Sequence, residues 1–321
     1  MSLAPWHGEA WASLHARLSR GALPHALLLC GPEGLGKRAF AEALVALALC
    51  EQRGEAACGR CRACLLLAAG SHPDRVRVGL EERDDGKLRS EIVVEQIRRL
   101  SERLAMTPQF GGLQLALIDP AEAMNAAAAN ALLKTLEEPT RGTVIVLVSD
   151  APSRLVATIR SRCQRIDFKP PARAQALDWL AAQGVVDAAA ALDAACGNPG
   201  RALALARSGG LALRAEVARD LGALWTGQGA ASEVANRWAR AEGELRLWFG
   251  AQLAADEAAA AARGMRGPLA LTPAADFHKL AAWLREAGRV REQLRTPLRP
   301  ELAILDLLLA WRAMAPRPRR A

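Results

Sequence analysis

Four cysteines lie close together in the first quarter of the chain: Cys50, Cys58, Cys61 and Cys64. Seven residues separate the first two, and two overlapping CxxC steps follow. A CxxC turn brings two sulfurs to one ion, and four thiolates complete the tetrahedral set that zinc prefers in structural sites. The spacing therefore predicts a structural zinc site with no open position for catalysis. A redox-active CxxC pair is the alternative.

A glycine-rich loop, Gly31-Pro-Glu-Gly34-Leu-Gly36-Lys37-Arg38, follows an apolar segment and precedes a helical one. Strand, loop and helix in this order are the context in which a GxxxxGK pattern forms a P-loop. The glycines let backbone N–H groups turn towards phosphate oxygens, and the helix N-terminus adds partial positive charge. Lys37 is predicted to reach the β- and γ-phosphates of a nucleotide.

Arg38 departs from this pattern. A working P-loop has Ser or Thr after the lysine, whose hydroxyl binds Mg²⁺, and a guanidinium cannot ligate a cation. ATP or ADP binding at the loop remains open, whereas independent hydrolysis is not expected. The alternative is a glycine-rich turn that only preserves the fold.

Apolar strands and helices alternate through the first half of the chain. Leu115–Ile118 predicts a strand that closes on Asp119, and Val144–Val148 predicts another. The helix Asn125–Pro139 lies between them, which predicts an α/β fold with a parallel sheet. A further helix is predicted over Arg154–Ile159, with Arg162 just beyond it.

Composition limits the classes of function. Of the 321 residues, 51% are hydrophobic and 24% charged, so a large core is available. Tyr is absent and aromatic residues make up 4%, which argues against an aromatic platform for single-stranded nucleic acid. The net charge of +8 permits nucleic-acid contact without requiring it. We see no signal peptide or apolar membrane span, so we expect a cytoplasmic protein.

The segment Asn130-Ala-Leu-Leu-Lys-Thr-Leu-Glu-Glu-Pro139 and the triplet Ser161-Arg162-Cys163 follow the P-loop and the four cysteines in order. With them, the chain resembles the AAA+ subunits of bacterial replicative clamp loaders. The motifs that support this resemblance are specific to the family up to about residue 170 and weak beyond it. The resemblance implies an AAA+ P-loop domain over 1–169 with a zinc module at about 50–75, a helical lid over 170–207 and an all-α collar domain over 208–321.

The resemblance also implies roles for single residues. Arg162 would be an arginine finger that acts in trans on a neighbouring subunit's nucleotide. Asp119 would be the remnant of the Walker B motif, but Pro120 stands where an active ATPase has Glu. Ser149 is the nearest match to the γ-phosphate sensor, with Asp150 as the alternative.

The implied function is that of a stator in the clamp loader of the DNA polymerase III holoenzyme, with no polymerase site of its own. Its partners would be gamma/tau motor subunits and a delta subunit, with the sliding clamp and primer–template DNA reached through the complex. No membrane partner is expected. Two alternatives remain open: an active gamma/tau-like ATPase, and a zinc-containing nucleic-acid-binding module on an inactive ATPase scaffold.

Overall fold

The computed structural model describes residues 3–83, 86–110, 112–271, 276–294 and 299–315. These residues form two compact units. The first comprises Met1–Ala188 with Ala195–Leu203, and the second comprises Ala189–Ala194 with Ala204–Ala321. The finer division into P-loop domain, lid and collar stays a prediction.

Within the described residues of the first unit, five parallel strands form one sheet in the order β2-β3-β4-β1-β5. The strands are β1 (Ala26–Cys30), β2 (Arg75–Val78), β3 (Gln114–Ile118), β4 (Thr143–Ser149) and β5 (Gln164–Asp167). Every residue of β1, β3 and β4 is buried, because helices cover both faces of the sheet. The predicted parallel α/β fold is confirmed.

Helices connect the strands and close the two faces of the sheet. They are α1 (Gly8–Ser19), α2 (Lys37–Leu49), α3 (Arg62–Ala68), α4 (Val94–Leu104), α5 (Ala126–Glu137), α6 (Ala157–Arg162) and α7 (Arg173–Ala182). Phe40 and Leu44 of α2 pack with α1 on one face, whereas Leu132 of α5 packs with α4 on the other. Because the strands are parallel, their carboxyl ends share one edge, where the P-loop follows β1 and Asp119 follows β3.

The helix predicted over Arg154–Ile159 is displaced along the chain. A short 3₁₀ turn, Pro152–Arg154, comes first, and the buried Leu155 then turns the chain into the core in an extended conformation. The helix α6 therefore starts at Ala157, and its last residue is Arg162. The candidate finger thus lies on a helix end and not in the loop beyond it.

Two further helices, α8 (Ala188–Ala194) and α9 (Pro199–Ser208), cross the boundaries of the units. The rest of the second unit is helical: α10 (Gly210–Trp225), α11 (Ala231–Arg240), α12 (Gly243–Ala262), α13 (Phe277–Gln293) and α14 (Pro300–Met314). Trp238, Trp283 and Trp311 fill its core, and each buried indole N–H donates a hydrogen bond within the unit. None of the described helices is long and apolar enough to cross a membrane.

Candidate functional site

The four clustered cysteines converge on one point beside α2 and α3. Cys50 follows the end of α2, and Cys64 lies in the first turn of α3. All four Sγ atoms lie within 4.8 Å of one another, with Cys50–Cys61 at 3.9 Å and Cys58–Cys64 at 4.0 Å. Tetrahedral zinc–thiolate bonds of about 2.3 Å require sulfurs about 3.8 Å apart. The cluster can therefore hold a metal, and its donor set fits zinc.

Backbone N–H groups support these sulfurs as anions. The amides of Cys58, Cys61 and Cys64 donate to the Sγ atoms of Cys50, Cys58 and Cys61, at 3.3, 3.3 and 3.4 Å. Metal ligation requires the thiolate, and such hydrogen bonds stabilise the charged form. The local backbone is thus arranged for a bound cation.

The P-loop has the backbone that its glycines predict. Gly34 and Gly36 have φ values of 89° and 83°, in the region that residues with a side chain avoid, and Gly36 is the N-cap of α2. The described backbone therefore preserves the phosphate-loop turn, although the side chains around it have different partners from those of an ATPase.

The ammonium group of Lys37 points back into the protein. Its Nζ donates to the carbonyls of Gly31 at 2.6 Å and Pro32 at 2.8 Å, and it lies 2.5 Å from Oδ1 of Asp150. The side chain is 1% exposed. In an active P-loop this lysine contacts the β- and γ-phosphates. Here an internal carboxylate neutralises it.

Arg38 bridges two carboxylates across the same edge of the sheet. Its Nε donates to Oδ2 of Asp119 at 3.0 Å, and its Nη2 donates to Oδ2 of Asp150 at 2.8 Å. Lys37, Arg38, Asp119 and Asp150 thus form a cluster of two positive and two negative groups, which we call the P-loop ion cluster. The carboxylate of Asp119, which the resemblance places at the Walker B position, is therefore held by a guanidinium.

The pKa values of the two carboxyls shift in opposite directions. Burial raises the pKa of Asp119, and the charge of Arg38 opposes this only in part. Burial also acts to raise the pKa of Asp150, but the hydrogen bonds and charges of Lys37 and Arg38 outweigh it and lower the pKa below its usual value. Asp150 is therefore the carboxylate that the cluster holds in its charged form.

Asp150→Asn is expected to destabilise the protein at neutral pH by about 3 kcal/mol, because it leaves Lys37 buried without its counter-charge. The pKa of Asp150 is depressed on folding, so its contribution is present above the unfolded-state pKa and is lost as the pH falls through the folded-state value. The difference in unfolding free energy should be largest at pH 5 to 7 and shrink below about pH 4. Denaturant unfolding of both proteins across this range measures it.

The exposed pair Arg165–Asp167 supplies the control for this experiment. Asp167→Asn should lower stability at neutral pH much less than Asp150→Asn does, as expected for a surface ion pair. Equal losses in Asp150→Asn and Asp167→Asn would contradict the importance of the P-loop ion cluster.

Ser149, the nearest match to the γ-phosphate sensor, ends β4 and is fully buried. Its hydroxyl has no hydrogen-bond partner among the described residues, whereas the alternative, Asp150, contacts the P-loop lysine. Glu122 fixes this segment, because its Oε1 accepts hydrogen bonds from the amides of Asp150 at 2.9 Å and Ala151 at 3.2 Å. No local sequence pattern assigns this role to Glu122.

Residues from both ends of the first unit cover the P-loop. His7 Nε2 lies 2.7 Å from the carbonyl of Leu35, and Asn198 Nδ2 donates to the carbonyl of Glu33 at 2.6 Å. A Cβ atom on Gly36 would lie 2.7 Å from the His7 ring, and one on Gly200 would collide with the carbonyl oxygen of Gly34. The loop is therefore packed between two segments of its own chain. Neither contact has a local sequence signal.

Arg162 presents its guanidinium at the surface, where the side chain is 36% exposed. Its Nη1 donates to the carbonyl of Thr158 at 3.0 Å, and its Nη2 lies 2.6 Å from Oε1 of Glu137. The next residue, Cys163, is buried, and burial raises the pKa of its thiol to about 12. Cys163 therefore anchors the end of α6, while Arg162 remains accessible to an incoming anion.

The parallel sheet with a P-loop after β1 and a helical second unit has the architecture of the AAA+ class of P-loop proteins. A gamma subunit-related protein of DNA polymerase III from Thermotoga maritima has the same fold, with a TM-score of 0.50 and 16% identity over 95% of this chain and 99% of that one. Sequence comparison narrows the class further. The family model described as "DNA polymerase III, delta subunit" matches residues 6–172.

Curated relatives agree with this match. DNA polymerase III subunit delta' of Pseudomonas aeruginosa is 43% identical over 239 residues, which cover 73% of this chain and 70% of the relative. The same subunit of Escherichia coli is 38% identical over 205 residues, covering 63% and 60%. The chain belongs to the delta-prime family of DNA polymerase III subunits, which confirms the predicted clamp-loader family.

Proposed function

We propose that this chain is a stator of the cytoplasmic DNA polymerase III clamp loader, which hydrolyses no ATP itself and supplies Arg162 to the ATP site of an adjacent motor subunit. The motor subunits would be of the gamma/tau type, and a delta subunit would complete the ring. The sliding clamp and primer–template DNA would be reached through the assembled complex.

The P-loop ion cluster is the observation that carries the first half of this proposal. To bind ATP with Mg²⁺, the chain would have to separate Lys37 from Asp150 and Arg38 from Asp119. Separating the buried Lys37 from Asp150 would cost several kcal/mol, whereas the Arg38 side chain is 43% exposed and its ion pair contributes less. Pro120 also stands at the position where an active ATPase has the glutamate that activates water. These features favour a subunit whose own site is catalytically silent.

The position of Arg162 supports the second half. Hydrolysis of the terminal phosphate builds up negative charge on the transferring phosphoryl group, and a guanidinium offers planar donors that stay charged at any working pH. Arg162 lies at an exposed helix end and is absent from the contacts of the P-loop ion cluster. The exposed guanidinium is therefore accessible to a nucleotide that is bound by another chain.

For the cysteine cluster we propose a structural Zn²⁺ held by Cys50, Cys58, Cys61 and Cys64. When bound, the ion would cross-link the end of α2 to the start of α3 and supply no catalysis, because four protein thiolates leave no open position. The backbone amides of Cys58, Cys61 and Cys64 support this geometry through their N–H···S hydrogen bonds.

A transition-state analogue tests the finger directly. Rings assembled with motor subunits should retain ADP with aluminium fluoride less tightly when they carry Arg162→Ala than when they carry the wild-type chain. Binding of a non-hydrolysable ATP analogue should stay the same, because the finger acts on charge that develops in the transition state. Arg160→Ala, an exposed arginine on the same helix, is the control. Equal retention of the fluoride complex by all three rings would refute the proposal.

A further inference from the structure

We propose that Glu137 is a positioning residue, which orients the guanidinium of Arg162 before a neighbouring subunit's nucleotide arrives. This inference rests on the proposed role of Arg162. Glu137 is the last residue of α5, and its Oε1 lies 2.6 Å from Nη2 of Arg162. It would act on the neighbour's reaction only through that guanidinium.

Two different helices hold the two terminal nitrogens of the guanidinium. Glu137 of α5 contacts Nη2, while the carbonyl of Thr158 on α6 accepts a hydrogen bond from Nη1 at 3.0 Å. A guanidinium has five N–H donors in a fixed plane. Two contacts therefore define the orientation of the plane and leave donors free for the oxygens of a phosphoryl group.

The support for Glu137 is rigid. Asn125 caps the start of α5 by accepting a hydrogen bond from the amide of Ala128 at 2.9 Å. Thr135, two residues before Glu137, shares a hydrogen bond of 2.8 Å with Ser101 of α4. The buried Leu136 anchors the final turn. A carboxylate on this helix end therefore has a defined position relative to the core.

The fold itself gains little from a carboxylate at this position. The Glu137 side chain is 50% exposed, and exposed ion pairs contribute little to stability. A negative charge at a helix C-terminus also opposes the helix dipole. A free arginine side chain, in contrast, carries considerable rotamer entropy, which a fixed orientation removes before binding. The pair is better explained by the positioning of Arg162 than by stability.

Glu137→Gln tests this role, with Glu138→Gln as the matched control, since Glu138 is the adjacent exposed carboxylate. Both variants and Arg162→Ala are assembled with wild-type motor subunits, and single-turnover ATP hydrolysis is measured against ATP concentration. Glu137→Gln should lower the maximal rate about tenfold, within the hundredfold cost that misalignment can carry. The ATP concentration at half-maximal rate and the yield of assembled ring should not change, and Glu138→Gln should match the wild type.

The double variant Glu137→Gln/Arg162→Ala separates positioning from other effects. If Glu137 acts through Arg162, the double variant should be no slower than Arg162→Ala alone. A further loss in that background, or equal rates for Glu137→Gln and Glu138→Gln, overturns the inference while leaving the finger intact. An Arg162→Ala ring with wild-type turnover overturns the proposed function, and the inference with it.

Discussion

Replacing Arg162 with alanine is expected to slow ATP hydrolysis at the adjacent motor site by about 10³-fold or more in the assembled ring, the effect typical of arginine fingers. The reason is that Arg162 lies exposed at the end of α6, and its planar donors would stabilise the charge that develops on the transferring phosphoryl group. The measurement is DNA- and clamp-stimulated single-turnover hydrolysis, with equal assembly of wild-type and variant rings verified beforehand.

Two companion variants sharpen the result. Arg160→Ala removes an exposed positive charge two residues away and should leave the rate unchanged. Arg162→Lys keeps the charge but not the planar donors, so most of the rate should still be lost. Unchanged turnover in Arg162→Ala with intact assembly would reduce this chain to a structural end-piece of the ring. Appreciable hydrolysis by the isolated chain would instead favour an active ATPase.

The second large effect that we expect is the loss of bound zinc when one cysteine of the cluster is replaced. Preparations should contain about one zinc per chain, because apparent zinc-binding free energies of about 10–16 kcal/mol are known for four-ligand sites of this kind. Cys61→Ser should abolish zinc retention, because it removes one of the four thiolates. The zinc content is measured as the metal released when the protein is denatured. The effect on local structure is measured by hydrogen exchange in residues 50–64. Cys196→Ser, at an exposed cysteine outside the cluster, should retain the metal.

The consequences of zinc loss should remain local. Cys50, Cys61, Ala63 and Cys64 form a small buried cluster of their own, separate from the two clusters that pack against the faces of the sheet. The main unfolding transition should therefore persist after chelation, while protection from exchange is lost within the module. Global unfolding by the chelator, or full zinc content in Cys61→Ser, would disprove this assignment.

The sequence predicted the features whose signals are local. The P-loop turn, the strand that closes on Asp119 and the four-cysteine cluster each occupy a continuous segment with recognisable spacing. The predicted helix before Arg162 was displaced because its boundary depends on Pro152, which favours a 3₁₀ turn, and on Leu155, which is buried by distant parts of the chain. The helix propensity of residues 154–159 reflects neither the turn at Pro152 nor the burial of Leu155.

The chemical state of the P-loop was less predictable. Arg38 indicated that Mg²⁺ binding is impaired, but its partner Asp150 lies 112 residues away in sequence. Asn198, which covers the loop, lies 165 residues from its partner Glu33. Such pairs exist only once the sheet has brought its strand ends together. Position in the sequence alone favours Ser149 as the sensor, whereas in the structure the neighbouring Asp150 contacts Lys37.

Internal neutralisation of Lys37 and Arg38 has a consequence for timing. In the proposed stator, a loop whose charges are balanced by its own carboxylates would keep one shape whatever the ratio of ATP to ADP. The proposed stator would then not change its conformation with the supply of ATP. In the proposed complex, the timing of clamp loading would depend on the subunits that bind nucleotide, while the conformation of this chain would stay constant.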